Sequence, residues 1–293
     1  MCRRFTVVTW DEVAEVVREL QADSPVNAQP DWPARPMAGE AATAQVEPGE
    51  DAFPGAGVDV IVRGPESQLA VERLTWGFPV EWQQRPVYNT RLETAMGPNP
   101  GMWEQPIAQG RGIVATGGFF EAHATQTVRS SKTGRRIKQQ YRFESGDGSP
   151  LLLATVCGQG CFSVVTTRPN ANVAPVHNRM PLALTLAEAR WWLRAPWPSL
   201  VANWQKLANR EGFALTAVPE QPPAPAALGQ GRCFKSECNN AIDGTGALGR
   251  SVRKREYKSV AILRPVGRSF SKSYRQHRAT LCLEKAKTRC LLR

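Results

Sequence analysis

At Pro219 the chain changes character, and the change limits how much of it can fold. Pro219, Pro222, Pro223 and Pro225 precede Gly229 and Gly231, which reads as a stiff, extended linker with neither helical nor strand periodicity. Residues 221–293 hold 16 Lys+Arg against 4 Asp+Glu, whereas residues 1–220 hold 21 against 22. The formal charge of +11 therefore belongs to the tail, and the body is close to neutral. Clusters such as Arg253-Lys254-Arg255 among Ser and Gly cannot repay the entropy of ordering. The expectation is a folded domain over 1–218 and a basic, disordered 219–293 with at most a frayed helix near 280–292. Such a tail is either solvated chain or a nucleic-acid contact.

The body is long enough to bury a sizeable core. It has no apolar run of the ~18 residues a membrane helix needs, and its first twenty residues lack the apolar region of a secretory signal. A cytoplasmic protein with reduced thiols is expected, so the seven cysteines do not read as a disulfide framework. Cys157/Cys161 and Cys233/Cys238 are pairs without a second ligand pair at zinc spacing, so neither metal nor cofactor is expected.

Thr9 and Glu12 form a capping box before Val13, Val16, Val17 and Leu20, predicting an amphipathic helix over 10–21. Residues 22–57 carry six Pro and scattered acids and read as a long surface loop. Short β-branched runs predict strands at 58–63, 71–76, 112–116 and 162–167. Residues 127–143 read as a hairpin turning at Lys132-Thr133-Gly134. Thr185 and Glu188 open a second capped helix that Pro196 ends, and another helix follows at about 198–211, with Trp191, Trp192, Trp197 and Trp204 directed to the core. Strands interleaved with a few helices give an α+β domain on a curved, mostly antiparallel sheet.

Chemistry could reside at a few positions. Cys2 follows the initiator Met1, whose removal would leave an α-amine and a thiol on adjacent carbons. Such a 1,2-aminothiol condenses with an aldehyde to a Schiff base, which the thiol closes to a thiazolidine; a residue placed there by the accident of the start is the plainer reading. His177, between Pro175 and Pro181, sits on a stiff loop suited to acid or base work, or satisfies a core hydrogen bond. Glu121 follows Gly117-Gly118-Phe119-Phe120, where aromatic neighbours would desolvate its carboxylate. Asn89 and Arg91 lie two apart and share a face if extended. Hairpin 127–143 carries Arg129, Lys132, Arg135, Arg136, Lys138 and Arg142 and no acid, a solvated face or a track for a phosphate backbone.

In this order, Met1-Cys2-x-Arg4-Phe5, Leu74-Thr75-Trp76-Gly77-Phe78, Asn89 to Thr94, Gly118-Phe119-Phe120-Glu121 and Ala174 to Pro181 resemble the SOS response-associated peptidase family, also known as abasic-site processing proteins. The resemblance covers the body and none of the tail. It implies one α+β domain on a barrel-like twisted sheet that senses abasic sites in single-stranded DNA and crosslinks to them through an N-terminal thiazolidine. Carried over, Cys2 is the nucleophile once Met1 is gone, a step the family is thought to perform on itself. Asn89 holds the amine, Glu121 moves its protons and assists reversal, and His177 opens the deoxyribose ring. Arg91 and Arg179 bind phosphates, and Trp76 and Pro54 wall the DNA. A monomer with no membrane contact is expected. Three positions depart from the family: Arg3 replaces Gly, Ala122 replaces Trp, and Arg111-Gly112 stands where a Cys-containing strand start is usual.

Two other readings carry different expectations. A Cys2/His177 thiol hydrolase would turn over peptides and trap no DNA. A non-catalytic nucleic-acid-binding protein would bind through hairpin and tail, with salt sensitivity and indifference to Cys2.

Overall fold

The computed structural model describes residues 2–22, 46–64 and 68–222. The expected disordered tail, the helix near 280–292 and most of the 22–57 loop lie outside the described residues. In chain order the elements are β1 (Phe5–Val7), α1 (Trp10–Gln21), β2 (Asp51–Ala52), β3 (Gly57–Arg63), β4 (Leu69–Trp76), β5 (Asn89–Arg91), α2 (Leu92–Ala95) and a 3-10 turn (Gly101–Trp103). There follow α3 (Glu104–Gln109), β6 (Arg111–Arg129), β7 (Arg136–Ser145), β8 (Leu151–Gly158), β9 (Cys161–Thr167), β10 (Met180–Pro181), β11 (Ala183–Leu184), α4 (Leu186–Arg194), α5 (Trp197–Ala208) and β12 (Leu215–Pro219).

The twelve described strands form one curved sheet of an α+β domain. Its pairs are antiparallel except β4 and β5, which each run parallel to β9. The pairings return on themselves: β3 joins β4, β4 joins β9, β9 joins β8, β8 joins β6, and β6 joins β3. Strand side chains alternate between faces, and here each face meets its own apolar cluster. Ile113, Ala115, Leu152, Ala154 and Val156 face the helices, packing with Val13, Val17, Leu20, Trp192 and Leu200. Val114, Leu151, Leu153 and Phe162 face inward with Phe5, Trp76, Phe119 and Phe143. Burial on both faces explains why β8 and β9 are near-continuous apolar runs.

Both capping boxes form, at Thr9/Glu12 and Thr185/Glu188. Two expected strand pieces, 112–116 and the first arm of the hairpin, are one strand, β6, whose register against β7 shifts between Ala122 and Thr127. Residues 215–219 form an edge strand on β7, so the sheet runs up to the proline where the linker was expected to begin. Edge pairing tolerates Pro219, because a proline lacks only the donor.

Arg111 ties the helices to the sheet. Its guanidinium donates to Trp192 O and Ala195 O, both at 2.6 Å, and to Ile107 O and Ala108 O, both at 3.1 Å. Burial pushes its pKa down to about 10, and the charge is met by carbonyl dipoles at the ends of α3 and α4. Arg111→Met keeps the volume but strands those carbonyls. The expected loss is about 3 kcal/mol of unfolding free energy, read as a lowered urea midpoint; an unchanged midpoint would show that water replaces the guanidinium.

Candidate active site

The site begins with how the first residues are held. Residues 2–4 run extended beside β6, where the Phe120 amide donates to Arg4 O at 3.0 Å. Arg4 is bolted on both sides, pairing with Asp51 at 3.4 Å and with Glu220, while its guanidinium lies 3.6 Å from the Phe120 ring centre. This fixes Cys2, two residues away, fully buried in the inner cluster. Its Sγ lies 3.5 Å from Arg4 O. Burial, and then the negative charge of Glu121, push the thiol well above its ordinary value, so it is held as a thiol and not as a thiolate.

Asn89 meets Cys2 from strand β5. Its Nδ2 donates to Cys2 O at 2.8 Å, and its buried Oδ1 has no hydrogen-bond partner among the described residues. The short strand β5 that carries Asn89 is kept straight by β9: Asn89 lies opposite Val164, and Thr90 Oγ1 donates to Ser163 Oγ at 2.9 Å. From below, Trp76 Nε1 donates to Tyr88 O at 2.9 Å.

Glu121 enters the core because of strand alternation. Phe119 pairs with Phe5 and stacks on Phe143, with ring centres 5.1 Å apart, and Glu121 is two residues further along the same face. The carboxylate is 3% exposed, and burial raises its pKa to about 7. His177 arrives on a turn anchored by buried Val173 and Val176, whose carbonyl at 176 accepts from the Ala124 amide of β6 at 2.8 Å. Its Nδ1 lies 3.6 Å from Glu121 Oε2, 2.9 Å from Arg179 O and 3.2 Å from Arg179 N. The shorter backbone contact is to an acceptor, which favours the proton on Nδ1. Burial lowers the imidazole pKa against the Arg179 carbonyl, and the Lys138 charge pushes the same way as burial. A carboxyl raised to about 7 and an imidazole lowered by burial thus sit within reach of one another, an arrangement able to share and pass a proton.

The remaining expected residues divide. Arg91 is exposed on β5, and Pro54 is half-buried on a rim beside Phe53, which is 54% exposed. Arg179 is bound bidentately by Glu93, at 2.8 and 3.0 Å, and donates to Thr166 O at 2.7 Å. Trp76 is fully buried, 4.6 Å from the Phe5 ring centre and stacked on Phe162, beneath the segment that carries Tyr88 and Asn89. Arg3 is exposed and avoids the left-handed region, so a side chain is accommodated where the family has Gly. Sequence reasoning passed over the bracing roles of Arg4 and Glu93; their partners lie 216 and 86 residues away, a separation no local pattern reports. Among the described residues no group of three or more His, Cys, Asp or Glu is placed to hold a metal ion, and no helix is long and apolar enough to cross a membrane.

A buried Cys2 that meets the Asn89 amide beside a carboxylate–imidazole pair, on a closed circuit of strands, marks this α+β domain. The chain belongs to the SOS response associated peptidase (SRAP) family, whose sequence model matches residues 1–221. A curated relative, the abasic site processing protein YedK of Escherichia coli, is 25% identical over 206 residues, covering 66% of this chain and 80% of YedK. Two crystal structures from Bordetella bronchiseptica share the fold. A phage-related protein has TM-score 0.52 and 22% identity, covering 75% of this chain and 94% of its own. A second protein has TM-score 0.51 and 16% identity, covering 75% and 100%.

Proposed function

We propose that this protein senses abasic sites in single-stranded DNA and crosslinks to them through Cys2 once Met1 is removed, acting as a monomer. The observation that carries the reading is the convergence of Asn89, Glu121 and His177 on a buried Cys2. Family membership and the name of the YedK relative support abasic-site processing as the general activity.

The chemistry follows from the groups present. An abasic deoxyribose is mainly a closed hemiacetal; as the ring opens, the ring oxygen gains a proton and the anomeric hydroxyl gives one up, and His177, with one ring N–H to donate and one ring nitrogen to accept, is assigned that exchange. The freed Cys2 amine attacks the aldehyde carbon, and loss of one water leaves an imine. Glu121 takes a proton from the ammonium and returns one to the departing hydroxyl, a task suited to a carboxyl titrating at about 7. The thiol then adds across the C=N bond, sulfur to carbon and proton to nitrogen, closing the thiazolidine. A thiol held protonated by burial suits this last step, because the S–H supplies that proton. Run backwards, the same carboxyl assists release, and a lyase side reaction would proceed from the imine. Asn89 is the amine's holder: one end of its amide grips Cys2 O and the other offers an unused acceptor. Met1 removal is the hydrolysis of the peptide bond before Cys2, assigned to this same centre. Arg91 at the exposed end of β5 would take a phosphate beside the lesion, and Arg179 would do so by sharing its Glu93-bound guanidinium.

Intact-mass spectrometry after mixing with abasic single-stranded DNA tests the reading. The expected species is protein lacking Met1, plus DNA, less one water, absent with an undamaged strand. Finding no heat-stable adduct would sink the proposal.

A further inference from the structure

The distal hairpin carries a feature that the reactive centre does not use. Beyond the register shift, β6 and β7 pair Thr127 with Lys138, Val128 with Ile137 and Arg129 with Arg136. Side chains directly opposite on an antiparallel pair share a face, and alternate positions return to it. One face of this arm therefore presents Arg129, Arg136 and Lys138 together, all exposed. The opposite face holds half-buried Val128 and exposed Ile137.

Like charges placed directly opposite destabilise a strand pair. Arg129 and Arg136 face each other, no acid occurs anywhere from Ala122 to Phe143, and no carboxylate pairs with Arg129, Arg136 or Lys138 among the described residues. The guanidinium of Arg136 is also oriented, its Nε donating to Thr127 Oγ1 at 3.1 Å on that same face. A hairpin selected for stability alone would place an acid opposite one of these arginines. An unrelieved row of cations on a preorganised face is what a polyanion would bridge.

The arm is joined to the reactive centre. The same strand bears Glu121, and its Ala124 amide holds the His177 loop at Val176 O. The Lys138 charge is felt at His177. Tyr141 stands opposite Glu121 on β7, so by alternation Lys138 and Arg136 lie on the face of the arm away from Glu121, and a strand held at Glu121 and His177 would pass round the hairpin to reach them.

We infer that the Arg129–Arg136–Lys138 face is a backbone track for the DNA strand leaving the reactive centre, binding its phosphates whatever the sequence. The inference rests on the single-stranded DNA reading above and adds to it a surface that measures strand length, separate from the lesion chemistry. Phosphate contacts carry affinity and salt dependence and little sequence information.

The test uses the full chain and the double variant Arg129→Thr/Arg136→Thr. Threonine suits a strand, and Lys138 is left in place because its charge reaches His177. Equilibrium binding to an undamaged strand longer than the ~16 nucleotides of a large single-strand site is measured against salt. Two lost phosphate contacts should flatten the log–log slope by about 1.4 and weaken binding about 10- to 30-fold near 0.1 M salt. Crosslinking is then compared for an abasic strand of about 4 nucleotides and the long one; subsaturating rates should fall for the long strand only. Thermal melting should be unchanged or higher, since a repulsive pair has been removed, which separates the effect from misfolding. An unchanged slope overturns the inference, as does equal slowing of short and long substrates, or flattening seen with RNA and not with DNA. If the wild-type protein crosslinks neither substrate, the abasic-site reading fails, while the binding slopes still judge the arm.

Discussion

Glu121→Gln is expected to slow crosslinking by about 10²–10⁴-fold, the usual contribution of a positioned acid or base, while making the domain more stable above neutral pH. Both effects come from one cause. Burial raises the carboxyl to about 7, because the charged form is costly where only 3% of the residue is exposed. A group whose folded pKa lies above its unfolded pKa favours folding fully below the unfolded value, and the contribution is lost as pH rises through the folded value. Above about pH 7 the native state therefore carries the penalty of a buried charge. A shift of this size corresponds to about 3 kcal/mol, which glutamine, neutral and nearly isosteric, does not incur. The expected pattern is equal urea stability of wild type and variant near pH 4, and a variant advantage of up to that amount at pH 8.5. His177→Ala should slow the reaction without the stability gain, since burial favours the neutral imidazole. Single-turnover adduct formation on denaturing gels reads the rates. Wild-type rates in both variants would remove this pair from the mechanism, and a pH-independent stability difference would contradict the buried-charge account.

The parts of the fold visible in the sequence were those whose signal is local. Thr9/Glu12 and Thr185/Glu188 announced two helices because a capping box is a contact between residues three apart. Strand β8 was passed over for the opposite reason. Leu151 to Val156 is apolar on both faces, so it shows no alternation, and its identity as a strand depends on β6 and β9 lying beside it. The strand expected to end at 116 continues through Gly117-Gly118 as one 19-residue strand, where Gly118 admits Phe143 O of β7; a Cβ there would stand 2.9 Å from that oxygen. The site obeyed the same division. Cys2, Asn89, Glu121 and His177 could each be named, but only likeness to a family grouped them, since their contacts span 87 residues for Cys2–Asn89 alone. The burial of Trp76 was equally hidden, because an aromatic residue in a motif reads alike whether it lines a surface or underpins a strand.

A protein whose Met1 is locked in place by an N-terminal tag should form no stable adduct with abasic DNA. This is the largest effect the proposed mechanism predicts, a complete loss with Asn89, Glu121 and His177 intact. With Met1 present the Cys2 nitrogen is an amide, its lone pair delocalised into the carbonyl, and it cannot form an imine. The thiol alone could add to the aldehyde only as a reversible hemithioacetal. Freeing the amine changes the order of events: nitrogen attacks first, and sulfur then closes a five-membered ring within one molecule, a step favoured by proximity. Cys2→Ala should likewise abolish the heat-stable product. Its free α-amine would still give an imine that borohydride traps, which separates the role of the nitrogen from that of the sulfur. Asn89→Ala should weaken imine trapping itself, because Asn89 grips Cys2 O and offers the acceptor assigned to the amine. Mass spectrometry of the tagged, uncleaved protein decides the matter. A heat-stable adduct on that protein would end the aminothiol mechanism and return weight to Cys2 acting as a thiol nucleophile alone, whereas loss on tagging and recovery on protease removal of tag and Met1 together would establish that the reactive group is made by exposing Cys2.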